Sequence, residues 1–275
     1  QGIKVKYFLK IVFCIYSANI ESLAISSSKE QLFYDAVRSE ASGDYETAIQ
    51  NYKEALLQAS TANLHGNLAN LYYKTNDYGR SVLHYNKALC LDQNNREFLS
   101  NLAYVSKIAQ VDITNQLSPG FLNGFSNNFW KGFSAIFFWF GLLGIAFLFF
   151  LRFRNKTIFI ILSVWTSVIL LLFFIMQYRN EQMDLWERRV VALNPHGISE
   201  NNTSRNIPLR RFAAKTSSAN TSVLPGDVLT VDRSNLGKPK SHTSPNEKSW
   251  LLVSTMDKRK KGWVLEEEVG WIIGN

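Results

Sequence analysis

Two cysteines in a chain of 275 residues are too few for a disulfide framework. Cys14 lies in an N-terminal apolar run and would leave with it on cleavage. Cys90 would then stand alone between Leu89 and Leu91, the setting of a small half-buried residue on a helix. Catalytic signatures are missing as well. His65, His84, His196 and His242 are scattered, with no cysteine or carboxylate at metal-ligand spacing. There is no GxSxG, no HExxH and no phosphate-binding loop, and Glu266, Glu267 and Glu268 read as a solvated run beside a strand. These absences exclude the common hydrolase, metalloprotease and nucleotide-binding plans. The expectation is a non-enzymatic protein with no cofactor and no metal.

Charge is missing from two long stretches. Residues 133–151 and 157–176 carry none, and each has the roughly 18–20 apolar residues that a bilayer-spanning helix needs. Between them, residues 152–156 read RFRNK, with Arg152, Arg154 and Lys156. A short basic loop belongs in the cytoplasm by the positive-inside rule, so both long flanks are expected on the other side. Trp130, Tyr178 and Trp186 fall near the outer ends, where amphipathic rings favour the membrane interface. At the start, Lys4, Lys6 and Lys10 accompany YFLKIVFCIYSA, and Ser22-Leu23-Ala24 offers a small-x-small cleavage site. Residues 1–24 therefore read as a signal peptide, with an uncleaved anchor helix as the rival. The opening Gln is read as a start that lacks its Met.

The net charge of +8 divides unevenly. Residues 25–128 have eight Lys/Arg against ten Asp/Glu, and residues 178–275 have fifteen against eleven. Much of the remaining excess lies in the leader and the hairpin loop, so it serves topology and does not mark a nucleic-acid surface. KRKK at 258–261 reads as a solvated hairpin turn.

What the chain does have is repetition. Residues 43–56 read GDYETAIQNYKEAL, and residues 76–89 read NDYGRSVLHYNKAL. NLAN at 67–70 returns as NLAY at 101–104. A period of about 34 is that of tetratricopeptide (TPR) units, pairs of antiparallel helices A and B. Small residues recur where helices must approach: Ala36, Ala69 and Ala103 on A helices, Ala48 and Ser81 on B helices. Tyr52 and Tyr85 fill the space between pairs, and Ala55 and Ala88 admit the next A helix. Asp44 and Asp77 are placed to cap the B helices. Residues 29–111 are thus expected to form two repeats plus a closing helix, followed by a linker or interfacial segment at 112–132. Gln93 replaces the separating proline, and polar Asp35 and Ser39 stand at usually apolar points of the first A helix.

Beyond Val190 the pattern changes to short apolar segments broken by turns: RVVAL, NIPLR, VLPGDVLTV, SWLLV and KGWVLEEEV, five or six strands of a small barrel. Residues 186–275 resemble a bacterial SH3 domain. Ile207, Leu209 and Arg210 match its first strand, and Leu224, Gly226 and Leu229 its turn. Trp250 and Val253, then Gly262, Trp263 and Val264, match its closing strands. A polar insertion at 233–248 lengthens one loop. Trp250 and Trp263 are expected in the core.

The order of leader, TPR array, two membrane helices and terminal SH3 domain resembles the BatE-type proteins of bacterial aerotolerance operons. The fold class expected is a multidomain membrane protein: an all-α solenoid, a transmembrane hairpin and an all-β barrel. The resemblance implies an inner-membrane protein with both soluble parts outside the cytoplasm. It also implies protein partners, among them von Willebrand factor A-domain membrane proteins of the same operon. Two functions stay open: a scaffold binding proteins through the repeats, or a module that binds or senses cell wall through the SH3 domain. For the scaffold, Asn67, Asn70, Tyr73 and Asn101 share a stripe on the A helices and are candidates to hold an extended peptide. Their alternatives are solvation or bonds to the neighbouring repeat. If they only contact a partner, truncating Asn67 and Asn101 leaves the melting temperature unchanged.

Overall fold

A computed structural model describes residues 30–112, 127–150, 155–194, 206–234, 237–243 and 248–273. The expected leader, most of the linker and most of the basic loop lie outside the described residues.

The helical region opens with α1 (30–41) and continues with α2 (Tyr45–Gln58), α3 (Ala62–Lys74), α4 (Tyr78–Leu91) and α5 (Arg96–Ala109). Neighbours in sequence pack on each other. The turns repeat with the sequence. Gly43 at φ 80° and Asn76 at φ 60° carry the chain from α1 into α2 and from α3 into α4, a backbone region that Gly and Asn tolerate. Asp44 and Asp77 follow, accepting hydrogen bonds from the backbone N–H groups of Thr47 and Arg80. Ala36, Ala48, Tyr52, Ala55, Ala69, Ser81, Tyr85 and Ala88 are all buried, as the period requires, and Ala103 is half-buried. α1 to α3 share one apolar cluster around Tyr52, Leu68 and Leu71.

Helices α6 (Asn127–Phe150) and α7 (Asn155–Glu187) pack together and are each long and apolar enough to cross a membrane. Trp165 lies on Gly141, where a Cβ would come within 1.8 Å of its indole nitrogen, so only glycine lets the helices meet there. Large apolar side chains such as Phe140, Phe159 and Leu171 are exposed.

Among the described residues eight antiparallel strands follow: β1 (Arg189–Ala192), β2 (Ile207–Arg210), β3 (Ala219–Val223), β4 (Val228–Val231), β5 (Ser241–Thr243), β6 (Ser249–Thr255), β7 (Lys261–Leu265) and β8 (Val269–Trp271). The order is β3-β2-β7-β6-β4-β1-β8, with β5 added to β6. The extra strand β5 comes from the polar insertion, and VLPGDVLTV and KGWVLEEEV each run from one strand into the next (β3 to β4 and β7 to β8), so the apolar pattern alone gave five or six. Val190, Leu209, Leu229, Val253 and Val264 fill the interior of the sheet. Trp250 is buried as expected, whereas Trp263 is half-buried, its ring 6.4 Å from that of His242. Gly262 is required by a close approach: a Cβ there would lie 2.8 Å from the backbone carbon of Leu209.

The helical region and the sheet do not stand apart. Val82, Leu83, Val105 and Val111 of the helical region form one buried cluster with Val191, Val228 and Ile272 of the sheet. The backbones come close at Gly79, where a Cβ would lie 3.2 Å from Ala192 O, and at Gly226, where one would lie 3.2 Å from Val111 Cγ2. The end of α7 belongs to the same body. Arg233 pairs with Asp184 and Glu187, Arg188 Nε donates to Val231 O at 3.2 Å, and Arg189 stacks on Trp186 at 4.1 Å. Trp186, expected near the membrane interface, packs against the shared core.

Candidate functional site

A groove of about 440 Å³ crosses the N-terminal ends of α1, α3 and α5. Phe33 and Tyr34 line it from α1, Asn63 and Asn67 from α3, and Glu97 and Phe98 from α5. Side-chain caps hold these ends in place: Thr61 Oγ1 accepts from Leu64 N, and Asn95 Oδ1 from the N–H groups of Glu97 and Phe98. Tyr34 is largely exposed, so the floor offers aromatic surface between amide and carboxylate groups.

Of the four residues singled out from sequence, Asn67 lines this groove; Asn70, Tyr73 and Asn101 do not. The structure gives each of them a partner within the array. Asn67 Nδ2 donates to Tyr52 Oη at 3.5 Å. Tyr85 Oη donates to Asn70 Oδ1, and Asn101 bonds the same tyrosine. Tyr73 Oη donates to Tyr104 Oη at 3.5 Å, their rings 5.8 Å apart. Asn67 with Tyr52 and Asn101 with Tyr85 are the same bond one repeat apart, tying an A helix to the preceding B helix. The tyrosine hydroxyls are desolvated, and burial pushes Tyr85 up to about 12. Each amide thus satisfies a buried hydroxyl that would be costly to leave unpaired.

Sequence spacing missed one cluster entirely. His65 on α3 and His84 on α4, nineteen residues apart, meet with Nδ1 to Nδ1 at 3.0 Å. His65 Nε2 reaches Ser60 Oγ at 3.0 Å, and Tyr72 stacks on His84 with centroids 5.4 Å apart. One Nδ1 must donate and the other accept, so the two rings are never both charged. Burial holds His65 at about 4, with Lys87 adding to it, and holds His84 well below its ordinary value, aided by His65, Lys87, Lys53 and Arg80. Those cations oppose a divalent metal between the rings. Among the described residues no group of three or more His, Cys, Asp or Glu could hold a metal ion. The signal was available in principle, since helix pairing by the 34-residue period places these two turns side by side. Cys90 is half-buried, and burial pushes its thiol up to about 12, which leaves no reactive thiolate.

No protein-family model matches this chain, and no curated protein matches it.

Proposed function

We propose that this chain is a membrane-anchored scaffold, a BatE-type protein whose helical region is a tetratricopeptide array and whose sheet is an SH3-like barrel. The observation that carries the reading is the shared core. Residues on both sides of α6 and α7 are buried in one cluster, so an even number of membrane crossings must separate them. That supports a hairpin with both soluble parts on one face, the arrangement that the basic loop at 152–156 favours. In this reading the face is extracytoplasmic and the membrane is the bacterial inner membrane. α7 runs nine residues past its apolar window before β1, about 14 Å of helix. The ion pairs of Arg233 leave no slack there. The head is thus presented at a fixed height and orientation, as a docking platform for membrane partners requires. The groove across α1, α3 and α5 is the docking surface, with Tyr34 as its aromatic anchor.

Capture of a von Willebrand factor A-domain membrane protein, the partner that this reading implies, tests it. The full chain in nanodiscs retains that partner, and Tyr34→Ala with Asn63→Ala weakens retention at least ~10-fold without changing thermal unfolding. Unaltered capture removes the groove. Retention of the full chain on purified cell wall, indifferent to both substitutions and without partner capture, replaces the scaffold by wall binding.

A further inference from the structure

A second cavity, of about 520 Å³, opens between the first turn of α4 and the sheet. Arg80 enters it from α4, Arg210 from the end of β2, Lys215 from the turn that follows and Lys248 from the start of β6. Glu267 and Glu268 complete the lining. The contact of Gly79 with Ala192 O and Pro225 is what brings Arg80 across to the barrel. Four cations therefore converge from four separate segments onto two carboxylates.

The two carboxylates do not neutralise the four cations. Glu268 Oε2 is turned onto Leu265 N at 3.2 Å, where it holds the turn before β8. Glu267 pairs with Lys248 at 2.6 Å. Arg80 is partnered by Asp77, the cap of α4. Arg210 donates to Ser217 O at 2.9 Å, which fixes its guanidinium, and Glu268 offsets part of its charge and of that on Lys215, so with Asp77 the three carboxylates leave one cation in excess. Lys215 is exposed, neighbours Lys248, and makes no ion pair among the described residues. A concave site with an excess of one sign concentrates counter-charge and draws in a ligand of the other sign. Guanidinium forks match carboxylates in two hydrogen bonds, which adds geometry to attraction.

Size and the mixed lining narrow the ligand. The volume falls within the range of organic-ligand pockets and is too large for a single small anion. A uniform polyanion would meet Glu267 and Glu268 as repulsion. A peptide has backbone N–H groups for those carboxylates and can place its own acidic side chains on the arginines and lysines. We propose that this cleft binds an extended acidic peptide segment, whose carboxylates sit on Arg80, Arg210 and Lys215. The bound segment spans the joint between the helical region and the sheet. The site is separate from the groove across α1, α3 and α5, so the two can fail independently.

The test uses the full chain in nanodiscs and a fluorescein-labelled Gly-Glu repeat hexapeptide, read by anisotropy, with the Gly-Gln peptide and inorganic pyrophosphate alongside. The expected result is binding of the Glu peptide at least ~10-fold tighter than the Gln peptide, weakening as salt rises. Lys215→Gln should weaken it several-fold and Lys215→Glu at least ~10-fold, with thermal unfolding unchanged, because Lys215 is exposed and bonds to no core group. Tyr34→Ala should leave it unchanged. Equal binding of the two peptides, or indifference to Lys215→Glu, overturns the proposal. So does saturable pyrophosphate binding without peptide binding, which would make the cleft a phosphate site.

Discussion

If the helical region and the sheet share one core, damage on one side must loosen the other. Leu83 on α4 is the place to test this. It is 6% exposed, and it belongs to the cluster that holds Val191, Val228 and Ile272. One of its methyls occupies the space left by Gly270 of β8, where a Cβ would come within 2.4 Å of Leu83 Cδ2. Leu83→Ala removes those methyls and leaves a gap bounded by a glycine backbone that cannot fill it. Buried Leu→Ala changes cost about 2–5 kcal/mol. The lower part of that range fits here, because some of the lining is side chain that can move, so about 2–4 kcal/mol is expected. Since each 1.36 kcal/mol is tenfold, the slowest-exchanging amides should speed by roughly 30- to 1,000-fold. Hydrogen exchange on the full chain, read by mass spectrometry, resolves the two sides. Peptides covering 78–91 and peptides covering 249–255 should accelerate together and by similar factors. Acceleration confined to the helical peptides would refute the reasoning, because it would make the sheet a separate folding unit that merely touches α4.

Asn67→Ala should lower the unfolding free energy by about 1–2 kcal/mol, because it removes the bond to the desolvated Tyr52 hydroxyl, and Asn101→Ala by less, because the Tyr85 hydroxyl keeps Asn70 Oδ1 as its acceptor; thermal melting of the double variant checks this, and an unchanged transition would restore the purely partner-facing role. The histidine pair gives a pH dependence. The unfolded chain titrates near 6.5 and folded His65 at about 4, so the unfolded state binds more protons between those values and stability falls as pH drops through 6.5. About 2 kcal/mol should be lost between pH 7 and pH 5 from His65 alone, with His84 adding to the loss in the same direction, and His65→Gln with His84→Gln should flatten that slope in denaturant titrations. Gly262→Ala should cost about 1–3 kcal/mol or more, since its Cβ would press on the backbone of Leu209 and Arg210, and reduced melting temperature is the readout. Reporter fusions at Asn155 and at the C-terminus should give opposite signals, with the C-terminal fusion extracytoplasmic; the same signal from both would sink the hairpin.

The repeats were legible because every feature that defines them is local. The Asp44 and Asp77 caps, the left-handed Gly43 and Asn76, and the small residues Ala48 and Ser81 each act within a turn or two of chain, and each returns after 33 residues. The two helices long and apolar enough to cross a membrane were legible for the same reason, since lack of charge over a span is a property of the span alone. Strand β5 was not, because Ser241, His242 and Thr243 carry no apolar alternation and owe their conformation to pairing with β6. The largest omission follows from the same rule. Val82, Leu83, Val191 and Val228 each look like ordinary core residues of their own element. Nothing in a local pattern says that residues more than a hundred positions apart, with two membrane-length helices between them, bury each other.

The candidate asparagines fall between these cases. Their spacing correctly put Asn67 and Asn101 at equivalent turns, but spacing cannot tell a side chain that faces a ligand from one that faces the preceding repeat. The deciding partner is the tyrosine. Tyr52 and Tyr85 were read as space-filling rings, and a buried phenol also carries a hydroxyl that must find a bond. In a closely packed array the groups within reach of that hydroxyl include those on the following helix, beside any on the preceding one such as Asn70. An amide recurring there at the repeat period is therefore the natural partner, as Asn67 is to Tyr52 and Asn101 to Tyr85. A polar residue that repeats in step with a buried tyrosine should be assigned to the tyrosine first. Binding is better sought in groove residues that do not repeat, and Tyr34 and Asn63 are exposed examples here.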